Sequence, residues 1–388
     1  MNKRPVSMTR TYKKHNSFVE IRQKKPLADG GARLTPILEN RSDMDLPKGR
    51  ADIVRRACAE ALGQTSAPAG HAPFSLHPNV LEELSRLTDA ELPRYLYYRF
   101  RYEAFPDRKL LDAAPPLLQI EPASACNFRC VFCYQTDKAF TRKSNGFMGY
   151  MTLDVFKGLI DQAQGPIEAI TLASRGEPLL CPDIADMLAY AAGKFLALKL
   201  NTNASLLDEK KIHAILSAGV QTLVFSADAA EEKSYGKLRV GGDLKKVLAN
   251  VELFSAIRAK HYPRSRMITR VSGVKVPGSG GLDDMEAFWG RFVDQVAFVN
   301  YNPWENAYEA PLNGLETPCS DLWRRMFVWW DGDTNPCDVD FKSELKVGNA
   351  KEKNLGALWR SPVYEKLRAD HLAGKRSSLS PCSRCTVV

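Results

Sequence analysis

Residues 117–135 read LLQIEPASACNFRCVFCYQ. A short apolar run, LLQIE, has the character of a buried strand and ends at a proline. It leads directly into a loop that carries Cys126, Cys130 and Cys133, with three residues between the first two thiols and two between the last two. Thiols clustered in this way favour a soft or borderline metal. A structural zinc site wants four ligands, so three in one loop would need a distant fourth. A four-iron cluster held by three thiolates keeps one iron free of protein, and that iron can bind a small molecule. Spacing alone leaves both possibilities standing.

Downstream of this loop, short strands alternate with amphipathic stretches. Strands are expected at EAITLA (168–173), LALKLN (196–201), QTLVFSA (221–227), MITRVSGV (267–274) and QVAFVN (295–300), in addition to LLQIE. Between them, TLDVFKGLIDQAQ opens on a Thr suited to an N-cap and LLDEKKIHAILSAG closes on Gly219. GDLKKVLANVELFSAIRAK is the longest expected helix. Such alternation builds βαβ units and a parallel sheet covered on both faces. Ligands of these folds bind at the C-terminal ends of the strands, which places the cysteine loop at the functional rim.

The chain has 388 residues, 44% of them hydrophobic, enough for two or three domains. It has no apolar run of about 18 residues, so no membrane span is expected. The N-terminal MNKRPVSMTRTYKKHNS lacks the apolar segment of a secretory signal. The expected compartment is therefore the cytoplasm, where thiols stay reduced and clustered cysteines serve metals. The nine cysteines, an odd number, also fit complete disulfide pairing poorly. Of the net charge of +9, a surplus of seven lies in residues 1–60, which hold 14 Lys/Arg against 7 Asp/Glu. No aromatic platform is interleaved with these charges, so a solvated arm is expected there and no specific nucleic-acid partner. The expected organisation is a basic, poorly ordered arm (1–50), a helical accessory region (51–114), a barrel (115–305) and a C-terminal cluster domain (306–388).

The arrangement Cys126-x3-Cys130-x2-Cys133, with Phe132 before the last cysteine, resembles the signature of the radical S-adenosylmethionine (SAM) enzymes. GEP at 176–178 resembles the family segment that receives the SAM amino group, and Asn201-Thr202-Asn203 closes the third strand. FSADAAEEKSYGKLRVGGDLKKV resembles the fourth-strand segment, with Ser226 and Arg239 where the ribose and carboxylate are held. The resemblance implies a partial (β/α)6 TIM-like barrel, with Cys126, Cys130 and Cys133 holding a 4Fe–4S cluster. It implies SAM contacts from Phe132, Gly176, Glu177, Asn201, Asn203, Ser226 and Arg239. It also implies cleavage of SAM to a 5′-deoxyadenosyl radical that abstracts hydrogen from an unactivated C–H bond, with a reductant such as flavodoxin or ferredoxin as electron donor.

A second set, Cys319, Cys337, Cys382 and Cys385, supplies four thiols. Four make a closed site, either zinc or a fully ligated iron–sulfur cluster. Gly332-x4-Cys337 and its surroundings resemble the C-terminal extension called SPASM. The cysteines of a second auxiliary cluster are missing, so the resemblance is to the truncated, twitch form, with one auxiliary 4Fe–4S cluster. It points to Asp338, next to Cys337, as a base. Tyr301, Trp304, Glu305, Asn306 and Arg175 are expected at the substrate rim, the aromatics alternatively sealing barrel to cluster domain. Cys58 is expected as buried filler, and Cys181 as packing or as a hydrogen-atom donor. The implied function is dehydrogenation of a sugar, polyol or aminocyclitol-like molecule. The alternatives are peptide maturation and sugar epimerisation.

Overall fold

Twelve strands are present in this computed structural model, which describes residues 18–23, 31–39, 44, 46–276 and 282–388. In chain order they are β1 (Phe18–Gln23), β2 (Leu117–Ile120), β3 (Arg129–Cys130), β4 (Ala169–Leu172), β5 (Ala197–Thr202), β6 (Thr222–Ser226), β7 (Arg239–Val240), β8 (Ile268–Lys275), β9 (Gln295–Asn300), β10 (Arg325–Val328), β11 (Asp333–Asn335) and β12 (Gly348–Asn349). Ten form one sheet in the order β1-β9-β8-β6-β5-β4-β2-β10-β11-β12. From β9 to β10 every neighbour is parallel. All six strands expected from the sequence are therefore present, in a partial α/β barrel.

The connecting helices start where the sequence offers caps. Thr152 accepts from the Val155 amide (3.4 Å), Asp208 from Lys211 (2.8 Å) and Asp243 from Lys246 (3.1 Å). Gly219 turns the chain at φ 67°, a left-handed conformation that glycine adopts without penalty. Strand side chains alternate between two environments. Leu118, Ile120, Ile170, Leu172, Leu198, Leu200, Leu223, Phe225 and Val271 join the main apolar core beneath the helices. The alternate residues, among them Gln119, Glu121, Thr171, Lys199, Asn201, Ser226 and Arg270, face the lumen.

Two regions depart from the expected division. Residues 1–50 were expected to lack order, yet their described part includes β1, antiparallel to β9, and helix α1 (Gly31–Glu39). The basic stretch 1–17 lies outside the described residues. The cluster domain is not a separate unit either, because β10 pairs in parallel with β2 from Leu117↔Arg325 to Ile120↔Val328. The accessory region contains α2 (Lys48–Ala61), α3 (Pro78–Ser85) and α4 (Leu92–Arg108). Val54, Cys58, Val80, Leu84, Tyr95 and Leu96 from these helices share a core with Leu117, Ala169 and Leu196. Those three lie at or before the N-terminal ends of their strands, so the helices floor the barrel. Cys58 is fully buried there, as expected of an apolar filler.

Candidate active site

Each rim loop follows a barrel strand, and hydrogen bonds tie the loops together. After β4, the backbone passes through Ser174 at φ 149°, a conformation rarely adopted outside glycine. Tyr134 holds this turn by donating to the Ser174 carbonyl (2.6 Å). Gly176 then runs against the first loop, where a Cβ would lie 2.3 Å from the Ala125 carbonyl oxygen. The Glu177 amide donates to that same oxygen (2.9 Å). Gly176 is thus required by close approach of two backbones at the entrance to the cysteine loop.

Glu177 is buried, and burial raises its pKa above the ordinary carboxylate value. Its Oε1 accepts from the Thr202 hydroxyl (2.7 Å) and the Leu179 amide (3.1 Å), and its Oε2 from the Asn203 amide (2.7 Å). The Oε2 atom retains acceptor capacity for an ammonium group. The Asn203 side chain is occupied differently. It donates to Asn127 Oδ1 (2.9 Å) and accepts from the Ser205 amide (3.0 Å) and hydroxyl (2.7 Å). Asn203 therefore fastens the cysteine loop to the end of β5. Asn201, one turn of the strand pleat below, keeps a buried Oδ1 with no hydrogen-bond partner among the described residues.

The two-residue ladder β3–β7 sets Cys130 directly opposite Arg239. The guanidinium lies 3.9 Å from Cys130 Sγ, ion-pairs with Asp228 (2.6 Å) and approaches the Phe132 ring (5.9 Å to its centre). Arg239 Nε is buried without an acceptor, and the nearby Tyr235 hydroxyl is likewise unpartnered. Asp228 is a contributor missed by the sequence reading. It is buried, accepts from the Val274 amide (2.6 Å) and fixes Arg239. Its place two residues after Ser226, at a strand end, was the available signal. Burial pushes the Cys126 thiol up to about 12, and burial likewise raises Cys130 and Cys133. Such thiols become thiolates when a metal centre supplies compensating charge.

The second cysteine set is assembled from distant segments. Cys319, Cys337, Cys382 and Cys385 line one small cavity of about 20 Å³. Arg376 clamps its walls, donating to the carbonyls of Thr317 (2.9 Å), Cys382 (3.2 Å) and Cys385 (2.5 Å). The Cys319 amide donates to His371 Nδ1 (3.2 Å), and burial together with Arg376 pushes that imidazole down to about 4. A neutral acceptor ring is thereby kept beside the thiols. Gly332 sits at φ 86°, with Asn349 Oδ1 2.7 Å from where a Cβ would be. Among the described residues no three His, Cys, Asp or Glu converge on a single ion position. Four thiols around a cavity suit a multi-iron cluster better than a lone zinc, and the donors present fit that group.

Several rim candidates turn out to be structural. Arg175 is buried and grips Glu121 through Nε (2.7 Å) and Nη2 (2.6 Å) while donating to the Phe341 carbonyl (3.0 Å). It joins barrel to cluster domain instead of facing substrate. Trp304 stacks on Tyr134 (6.3 Å between centres) within an apolar group that includes Val339 and Phe341. Of the two roles considered for the rim aromatics, Trp304 has the sealing one. Tyr301 donates to Glu305 in the same loop. Cys181 is buried in the main core with its thiol toward the Met151 carbonyl (3.6 Å). Asp338 is buried beside Cys337, and its charge acts on both Tyr134 and Arg325. Asp340 is pushed up to about 7 by burial, but its oxygens receive Tyr308 (2.8 Å) and the amides of Glu344 (2.9 Å) and Leu345 (2.8 Å), which marks it as a loop anchor.

Two family descriptions match this chain: the radical SAM superfamily over residues 120–268, and an iron–sulfur cluster-binding domain, SPASM, over residues 319–386. The chain belongs to the radical SAM superfamily and is an enzyme of that class, with a C-terminal SPASM-type domain. Its cofactors are SAM, the 4Fe–4S cluster that binds it, and an auxiliary cluster. An AdoMet-dependent heme synthase of Methanosarcina barkeri is 31% identical over 141 residues, spanning 36% of this chain and 39% of that protein. A SAM-dependent 2-deoxy-scyllo-inosamine dehydrogenase of Niallia circulans is 21% identical, spanning 72% of this chain and 95% of that protein. The structure of Streptococcus suis SuiB bound to its precursor peptide SuiA has the same fold, with a TM-score of 0.52 at 14% identity, covering 90% of this chain and 89% of that one. Among the described residues no helix is long and apolar enough to cross a membrane.

Proposed function

We propose that this enzyme oxidises a sugar, polyol or aminocyclitol-like molecule by removing two hydrogens. The observation that carries the reading is the second cysteine set. Four thiols surround one cavity, so a cluster there has every iron held by protein and serves to exchange electrons instead of binding substrate. When bound, the first cluster and SAM supply the 5′-deoxyadenosyl radical that takes the first hydrogen atom. Cys126, Cys130 and Cys133 would hold that cluster, and Arg239 and Glu177 would receive the carboxylate and amino groups of SAM. Asn201 and Ser226 line the same face of the lumen, Phe132 borders the adenine, and Gly176 and Asn203 keep the loops in register. Asp338, buried beside Cys337, is the carboxylate that accepts the substrate proton, and an auxiliary cluster held by Cys319, Cys337, Cys382 and Cys385 would supply an acceptor for the remaining electron. A flavodoxin- or ferredoxin-like donor supplies the priming electron.

The buried position of Cys181, turned away from the lumen, disfavours epimerisation, which needs a hydrogen-atom donor facing the substrate radical. The test is anaerobic turnover with reduced enzyme, SAM and a panel of C-deuterated polyols and aminocyclitols. Dehydrogenation moves one deuterium into 5′-deoxyadenosine and yields a product two hydrogens lighter. Solvent deuterium returned to the substrate carbon, or modification confined to peptides, would overturn it.

A further inference from the structure

The largest cavity described lies in the barrel floor, below the SAM rim. It measures about 850 Å³ and is walled by the inward faces of β5, β6 and β8 and by α3 and α4. This size suits a small-molecule ligand. Its lining is rich in cations, most of which have their own partners. Arg86 pairs with Glu82 (3.1 Å), Arg266 with Glu91 (2.7 Å) and Arg99 with Glu103. The deep cations are Lys199 on β5 and Arg270 on β8, whose Nε donates to Gln295 (2.6 Å). The acids near them are Glu83, which already receives the Tyr95 hydroxyl, and Glu82, which receives the Gln295 amide and pairs with Arg86. Among the described residues the Lys199 ammonium has no hydrogen-bond or salt-bridge partner. Lys199 thus carries a half-buried positive charge with no direct partner among the described residues. Burial, with Arg270 and Arg325 nearby, pulls Lys199 down to about 7, as expected of a desolvated cation without a counter-ion.

This charge lies below the chemistry along β5. Lys199 and Asn201 lie on the same face of β5, two residues apart, roughly 6.6 Å along the strand. We propose that the floor cavity receives the anionic end of the substrate, a phosphate or carboxylate group held by Lys199 and Arg270, while the carbon to be oxidised reaches up to the level of Asn201. This names a substrate class for the reaction proposed above and rests on that reading: a polyol or aminocyclitol-like molecule carrying an acidic substituent. A phosphate or carboxylate supplies the acceptors that a lysine and an arginine side by side require.

The experiment is calorimetric titration of the reconstituted holoenzyme, with SAM bound, using inorganic pyrophosphate in one series and succinate in the other. Saturable binding of either anion is expected, weakened roughly ten-fold or more in Lys199→Met and largely kept in Lys199→Arg. Stronger binding of pyrophosphate identifies a phosphate substituent, and stronger binding of succinate a carboxylate. Lys199→Gln serves as a second charge-removing variant, with iron content and circular dichroism reporting whether each variant folds. Dithionite-driven SAM cleavage by the wild type tests the parent reading separately. If SAM is cleaved but neither anion binds saturably, or if folded Lys199→Met and Lys199→Gln bind as the wild type does, the anion site is overturned while the radical chemistry stands.

Discussion

The two cysteine sites are built in opposite ways. At the rim, three thiols lie within eight residues of one loop, and most of the surrounding effort goes into holding that loop: Asn127 to Asn203, Gly176 against Ala125, Cys130 opposite Arg239. Polar atoms there lack partners within the protein, namely Arg239 Nε, Asn201 Oδ1 and the Tyr235 hydroxyl. In the C-terminal domain, four thiols come from segments up to 66 residues apart, Cys319 to Cys385, and the walls are closed by Arg376 and His371. The second site is not fully satisfied either, since His371 Nε2 and both amide atoms of Asn335 are buried without a partner among the described residues, so the difference between the sites lies in how their thiols are brought together. Unused capacity is costly in an interior, and at the rim it lies beside the three thiols that share one loop.

The largest effect expected from breaking this contrast is at the rim. Replacing Cys126, Cys130 and Cys133 together by Ala should abolish SAM cleavage and leave about four irons per chain in place of about eight, as read by iron analysis and Mössbauer spectroscopy. Zinc in the second site would contradict the two-cluster reading. The mirror experiment removes the closed site. Cys337→Ala with Cys382→Ala should also leave about four irons, yet SAM should still be cleaved to 5′-deoxyadenosine while oxidised product disappears.

A step smaller, Asp338→Asn keeps shape and removes a base, a change worth roughly 10²- to 10⁴-fold in product formation. SAM cleavage should persist, and a substrate radical should accumulate in electron paramagnetic resonance spectra. Unimpaired product formation would remove Asp338 from the mechanism. Next come the SAM contacts. Glu177→Gln and Arg239→Gln should each weaken SAM binding by about ten- to a hundred-fold, the loss of one charge-assisted hydrogen bond, with iron retained. Unchanged affinity in both would mean that SAM is held elsewhere.

The smallest effect is a pH slope. Lys199 is pulled down to about 7 in the folded chain by burial and by Arg270, Arg325 and Arg99, with Glu83 opposing, and returns to about 10.4 on unfolding. Between these values the unfolded chain binds more protons, so this lysine's penalty is full below pH 7 and fades as pH rises toward about 10. Urea titrations at pH 7 and pH 9 should therefore show the stability of wild type relative to Lys199→Met improving at the higher pH. An equal difference at both would show that Lys199 is not perturbed.

What the residues determined by themselves was local or periodic. Alternating apolar runs specified all six parallel strands, because a strand buried on both faces needs them. The caps at Thr152 and Gly219 were legible for the same local reason, and the cysteine spacings marked two metal sites whose iron–sulfur character came from the family resemblance. Tertiary structure alone decided the rest. β10 joins the barrel sheet, a long-range pairing that no local pattern encodes. Arg175 looked like a rim residue because it precedes Gly176, but Glu121, 54 residues earlier, draws it inside. Cys130 and Arg239 meet through a ladder only two residues long, and Asp228 reaches that arginine by an ion pair. Lys199 reads as an ordinary surface lysine until α3 and α4 close the floor beneath it. A charge takes its meaning from how far it is from water and from other charges, and both distances are set by the folded chain.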